Sequence, residues 1–180
     1  MLRTLRCLIA LQVVSLPSSM AAQESSPDDR SNRPNVIVFF MDDLGYGDLP
    51  TYGATDVRTP NLDRLAREGV RLTDCYAAAP LCTPTRAAFM TGRYQHRAGL
   101  EGVITPRDDR LGLSASETTL PGLLKEAGYV TGLVGKWHLG GMPESHPNRH
   151  GFDEFFGFLS GAVDYYSHRN GAGVHDLYEN

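Results

Sequence analysis

The chain alternates between apolar segments of strand length and amphipathic segments of helix length. The run from Asn35 to Met41 is continuously apolar and rich in β-branched and aromatic residues, which is typical of a strand buried on both faces of a parallel sheet. Residues 60–68 are predicted as a helix, because Thr59 provides an N-cap and Gly69 a C-terminal stop. A second strand is predicted over residues 70–76.

The same alternation continues in the second half of the chain. Strand patterns that alternate with helix patterns predict an α/β fold, and in such folds binding sites lie at the carboxyl ends of the strands. The predicted elements are a helix from about Thr83 to Thr91, a surface loop over 99–116, a helix over 118–127 and a strand over 129–134.

The first residues have the pattern of a secretory signal. Two arginines precede a short apolar segment, which is followed by small residues that suit cleavage. We expect a signal peptide over 1–22, a flexible leader over 23–33 and a catalytic domain over 34–180. A buried, uncleaved N-terminal helix is the alternative. The apolar segment is too short to cross a bilayer stably, so we expect an exported protein, periplasmic or secreted, without stable membrane insertion.

Composition narrows the possible partners. With 17 Lys and Arg against 21 Asp and Glu, the formal net charge of the 180-residue chain is −4. An acidic chain without a basic run is poorly suited to bind nucleic acid. Only two of the basic residues are lysines, Lys125 and Lys136, so the setting of each lysine is informative.

Asp42 and Asp43 directly follow the first predicted strand. Two adjacent carboxylates at a strand end, where the backbone turns, offer hard oxygen ligands for Ca²⁺ or Mg²⁺. Gly45 and Gly47 follow at once and permit a sharp backbone path. An ordinary acidic loop is the alternative interpretation of the pair.

Cys82 and Arg86 lie at the start of a predicted helix, four residues apart. A helix N-terminus carries a positive potential and unpaired N–H groups, and the spacing brings the guanidinium back towards the cysteine. This arrangement favours stabilisation of an oxyanion. A plain helix start remains the alternative.

Lys136 and His138 follow the strand predicted over 129–134. In an extended chain, the side chains of residues two apart point the same way. The pair is therefore expected to bind an anionic group together, with Trp137 directed into the core. Solvation at a turn is the alternative. Export would leave Cys75 and Cys82 as the cysteines of the mature chain, which permits one disulfide.

Taken together, the motifs resemble the N-terminal part of the formylglycine-dependent sulfatases of the alkaline phosphatase superfamily, and in particular the arylsulfatase B-like group. The resemblance covers about residues 33–170. Its matching segments, in order, are 35–48, 59–69, 80–93, 135–140, 151–157 and 164–168. It implies an alkaline phosphatase-like fold, of which the chain would hold the N-terminal part: a mostly parallel sheet flanked by helices.

The resemblance also implies roles for the candidate residues. Cys82 would be oxidised to formylglycine, whose hydrate is the nucleophile, by a formylglycine-generating or other sulfatase-maturing enzyme. Cys75 would then be a buried free thiol. Asp42, Asp43 and the modified Cys82 would bind Ca²⁺, with Mg²⁺ as an alternative. The remaining implied catalytic residues are Arg86, Lys136 and His138, which would contact the hydrate and the sulfate of a sulfated small molecule or glycan.

The chain is shorter than expected for this family, and the downstream ligands of the implied metal and sulfate sites are not found in it. We therefore expect an N-terminal fragment of a sulfate ester hydrolase. Two alternatives stay open: a phosphonate or phosphodiester hydrolase of the same superfamily, and an inactive, truncated exported protein.

Overall fold

The computed structural model describes residues 33–108 and 111–180. The predicted signal peptide, and the predicted leader up to residue 32, lie outside the described residues. The chain divides into two units, Met1–Val36 and Ile37–Asn180, and the fold and site described below belong to the second.

The three predicted helices are confirmed. They are α1 (Pro60–Glu68), α2 (Cys82–Thr91) and α3 (Leu120–Glu126). Gly92 ends α2 in the left-handed conformation, with φ of 64°, and donates its N–H to the Ala88 carbonyl at 2.9 Å. This is the geometry for which glycine is favoured after a helix.

The described sheet has three strands in the order β1 (Gly132–Lys136), β2 (Glu154–Phe158) and β3 (Tyr178–Glu179). β1 and β2 are parallel, and β3 pairs with β2 in the antiparallel direction. β1 begins three residues after the predicted start of its strand, whereas β2 and β3 are additional to the predicted elements. Lys136 is the last residue of β1, so the residues that follow it lie at the carboxyl end of that strand.

The predicted strands over 35–41 and 70–76 are not formed, so this part of the sequence prediction is wrong. The side chains are exposed instead: Ile37 by 77%, Phe39 by 73% and Val70 by 86%. A strand buried on both faces needs neighbours beside it and layers above and below it. The described part of the chain provides no strand next to either segment.

The core lies between α2, the loop residues 99–108 and 111–116, and the residues around β1 and β2. Its buried apolar side chains include Trp137, Leu139, Leu113 and Phe155. The Trp137 indole N–H donates to the Ser145 carbonyl at 2.8 Å, so its polar group is satisfied inside the core. The expectation that Trp137 points into packing is confirmed. No helix among the described residues has the length and apolarity needed to cross a bilayer.

The pairing of β1 with β2 leaves no room for a side chain at Gly157. A Cβ atom there would collide with the backbone of Gly135 on the neighbouring strand, whereas a Cβ at Gly171 would meet no atom within 4 Å. We expect Gly157→Ala to destabilise the fold by about 1–3 kcal/mol, as overpacking does, and to lower the melting temperature. Gly171→Ala is the matched control. Equal melting temperatures for the two variants, measured by circular dichroism, would contradict this packing.

Candidate active site

The first turn of α2 presents Cys82 at the positive end of the helix. Leu81 is extended and its carbonyl accepts the Thr85 N–H at 3.1 Å, which closes the first turn. The Thr85 hydroxyl donates to the Ala79 carbonyl at 2.5 Å and so fixes the loop that leads into the helix. The Cys82 side chain is therefore held where unpaired helix N–H groups favour negative charge.

Both described cysteines, Cys75 and Cys82, are free thiols. The expectation that Cys75 is buried is wrong, because it is exposed. The cause is the unformed strand over residues 70–76, which leaves this segment on the surface.

Arg86 lies one helical turn after Cys82 and reaches across to β1. One terminal nitrogen of its guanidinium donates to the Lys136 carbonyl at 2.6 Å, and the other lies 3.8 Å from the Asp42 carboxylate. The guanidinium also lies over the Phe40 ring, 5.4 Å from its centroid. Burial lowers the pKa of Arg86, while Asp42 and Cys82 oppose that shift. The Nε atom is buried and makes no hydrogen bond among the described residues, so a donor is left for another acceptor.

Lys136 and Asp42 form the closest ion pair of the site, with Nζ 2.6 Å from Oδ2. Burial tends to raise the pKa of Asp42. The hydrogen bond from Lys136 and the charges of Lys136, Arg86 and His138 outweigh it and lower that pKa. Asp42 is therefore a carboxylate held between two cationic side chains.

Asp43 lies beside this network in a turned backbone conformation, with φ of 55°. Asp42, Asp43, Cys82 and Arg86 line one open cavity of about 670 Å³. Four of the six predicted site residues are thus brought to one cavity. Lys136 joins them through its bond to Asp42.

His138 is oriented differently from the prediction. The sequence predicts that Lys136 and His138 point the same way in extended chain, but β1 ends at Lys136 and His138 has φ of 57°. The His138 Nε2 lies 2.8 Å from the Ile104 carbonyl, whereas Lys136 reaches Asp42. Burial and the charges of Lys136 and Arg86 lower the pKa of His138, so the neutral ring is favoured.

Thr83 is buried and has a structural role in the site that the sequence does not predict. Its hydroxyl donates to the His138 carbonyl at 3.0 Å and accepts the Ile104 N–H at 3.2 Å. The sequence shows that Thr83 is next to the candidate nucleophile, but it does not indicate these distant hydrogen-bond partners.

The acidic pair fits a divalent cation in donor chemistry, since hard carboxylate oxygens suit Ca²⁺ and Mg²⁺. The donor number is incomplete, because no group of three or more His, Cys, Asp or Glu side chains among the described residues is arranged to hold a metal ion. Asp42 and Asp43 would therefore supply only part of a metal site. Cys82 as a further ligand stays a prediction.

Comparison with known proteins identifies the family of this chain. The family model for sulfatases matches residues 34–178. The steryl-sulfatase of Mus musculus is 49% identical over 162 residues, which cover 83% of this chain and 26% of that protein. The N-acetylgalactosamine-6-sulfatase of Homo sapiens is 50% identical over 131 residues, covering 69% of this chain and 25% of that protein.

A solved structure gives the same result. The structure of BT4656 in complex with its substrate D-glucosamine-2-N,6-O-disulfate matches with a TM-score of 0.61 and 38% identity, over 75% of this chain and 25% of that one. The chain belongs to the sulfatase family, and the predicted α/β, alkaline phosphatase-like class is confirmed. The chain spans about a quarter of the length of the curated relatives it matches.

The two lysines of the chain provide a direct test of the charge network. Lys136 pairs with Asp42, and Lys125 pairs with Asp153 at 2.6 Å. A carboxylate whose pKa is lowered in the folded state stabilises the fold above its unfolded pKa, and this contribution is lost as pH falls through the folded pKa. We expect Lys136→Gln to raise the pKa of Asp42 and to leave that of Asp153 unchanged.

Lys125→Gln is the matched control, because the hydrogen bond from Lys125 is the largest cause that lowers the pKa of Asp153. We expect it to raise the pKa of Asp153 alone. Carboxyl-carbon NMR titrations in metal-free buffer measure both midpoints. An Asp42 midpoint that is the same in the unsubstituted protein and in Lys136→Gln would refute the pairing of Lys136 with Asp42.

Proposed function

We propose that this chain is the part of a sulfate ester hydrolase that carries the nucleophile and half of the charge-stabilising site. The observation that carries the proposal is the position of Cys82 at the N-terminus of α2, in one cavity with Arg86 and the Asp42–Asp43 pair. In a member of the sulfatase family, this is where a nucleophile and cationic groups are needed together.

Cys82 is the proposed site of conversion to formylglycine by a sulfatase-maturing enzyme. Once formed, the hydrated aldehyde supplies a hydroxyl nucleophile in place of a thiol. Thr83, Pro84 and Arg86 complete the short motif that begins at Cys82 and are proposed as part of the signal that the maturing enzyme reads. The exposed Cys75 is not a target in this proposal, because it lies outside that motif and outside the helix.

The cationic side chains are proposed to stabilise negative charge on the sulfuryl oxygens. Arg86 has a buried Nε donor without a partner among the described residues. The Lys136 ammonium has three donors, and one of them is directed at Asp42. Preorganised donors of this kind stabilise charge that develops in a transition state. The net negative charge of the chain does not prevent this stabilisation, because the local electrostatic field at the site determines it.

Asp42 and Asp43, with an oxygen of the modified Cys82, are proposed to hold Ca²⁺, with Mg²⁺ as the alternative. The bound cation would act as a Lewis acid on a sulfate oxygen. His138 is proposed to accept a proton in the reaction, because burial lowers the pKa of its ring and favours the neutral form.

The proposed substrate is a sulfate ester on a glycan or small molecule. One relative is an N-acetylgalactosamine-6-sulfatase, and the solved relative binds a sulfated glucosamine. Export after removal of residues 1–22 is part of the proposal and rests on the sequence pattern alone.

Coexpression with a sulfatase-maturing enzyme tests the nucleophile. We expect the mass of the peptide that contains Cys82 to show conversion of the thiol to an aldehyde, and a hydrazide probe to label it. The peptide that contains Cys75 is the internal control and is expected to keep its thiol. An unmodified Cys82, in a host that converts a known sulfatase, would contradict the proposal.

A comparison of two esters tests the reaction. We expect the matured protein to hydrolyse an aryl sulfate faster than an aryl phosphodiester, and Cys82→Ala to abolish turnover. The opposite preference would favour the phosphodiester hydrolase. Folded, formylglycine-bearing protein that hydrolyses neither ester would favour the inactive exported protein.

A further inference from the structure

Three buried residues form a closed circuit of hydrogen bonds behind the candidate nucleophile. The Thr83 hydroxyl donates to the His138 carbonyl at 3.0 Å, and the Ile104 N–H donates to the Thr83 hydroxyl at 3.2 Å. The His138 ring completes the circuit, with Nε2 at 2.8 Å from the Ile104 carbonyl. These hydrogen bonds join the first turn of α2, the end of β1 and the loop at Ile104.

This geometry determines which nitrogen of His138 carries the proton. A backbone carbonyl can only accept a hydrogen bond, so Nε2 must carry the hydrogen that it donates to Ile104. The neutral ring then has its lone pair on Nδ1. That atom is buried and has no partner among the described residues.

Close packing holds the His138 imidazole from another side. A Cβ atom at Gly161 would lie 2.5 Å from Cε1 of His138 and 2.7 Å from Nε2. The absence of a side chain at Gly161 is therefore needed for the imidazole to reach Ile104. Hydrogen bonding and packing thus act together on a single side chain.

We infer that Thr83 is a positioning residue, which fixes the His138 ring as the Nε2–H tautomer and leaves Nδ1 as the proton-accepting atom. It does so through the His138 carbonyl and the Ile104 N–H, which are both held by one hydroxyl. The use of Nδ1 in hydrolysis rests on the proposed function. The tautomer itself depends only on contacts within the chain.

Two-bond ¹H–¹⁵N correlation spectra of the 180-residue chain test this inference directly. His138→Gln identifies the His138 signals. We expect the unsubstituted protein to show the Nε2–H tautomer alone, and Thr83→Val to lose this single pattern and give a mixture. Thr83→Ser keeps the hydroxyl and is expected to restore the single tautomer, which a purely steric role of Thr83 would not predict.

An Nδ1–H ring in the unsubstituted protein, or an unchanged His138 pattern in folded Thr83→Val, would overturn the inference. If Thr83→Val does not fold, the unsubstituted protein and Thr83→Ser decide, because mixed tautomers in either contradict the assignment. The spectra are recorded with an unmodified Cys82. A failure of formylglycine formation therefore counts against the proposed function and leaves the tautomer result unaffected.

Discussion

The site depends on the attachment of the first turn of α2 to the residues that end β1. Arg86 donates to the Lys136 carbonyl, and Thr83 donates to the next but one carbonyl, that of His138. Both side chains are buried, and leaving a buried polar group without its partner costs about 1–3 kcal/mol. The helix is therefore fixed both in position and in rotation, and with it the direction in which Cys82 faces.

The charges of the site follow from the same attachment. Arg86 and Lys136 both converge on Asp42, so the acidic protein creates a local cationic environment around one carboxylate. The two lysines also have distinct roles. Lys136 lies in the site, whereas Lys125 links α3 to Asp153, one residue before β2. This separation is why the substitution of one can serve as a control for the other.

Local signals in the sequence predict the helices and the membership of the site well. Pro60 and Gly92 mark helix ends through backbone preferences that do not depend on distant residues. The order of the motifs predicts that Asp42, Cys82 and Lys136 converge, although two of the three strands on which that prediction rests are not formed.

Properties that depend on neighbours could not be predicted in the same way. The segments 35–41 and 70–76 have strand composition, but pairing requires partner strands that the described residues do not supply. The His138 orientation depends on a positive φ and on the Ile104 carbonyl, 34 residues away in sequence. Neither is visible in the local pattern, and the role of Thr83 is hidden for the same reason.

Native-state hydrogen exchange of the 180-residue chain tests the attachment of α2 most directly. We predict that the Ile104 amide exchanges slowly, because it donates a hydrogen bond to the Thr83 hydroxyl of α2. The Trp137 and His138 amides donate to the Phe158 and Leu159 carbonyls, so they report on the neighbouring chain around β2 and not on α2. The amide of Phe39, in an exposed segment without strand pairing, is predicted to exchange rapidly. Exchange of Ile104 as fast as that of Phe39 would show that the attachment does not form and would contradict this account.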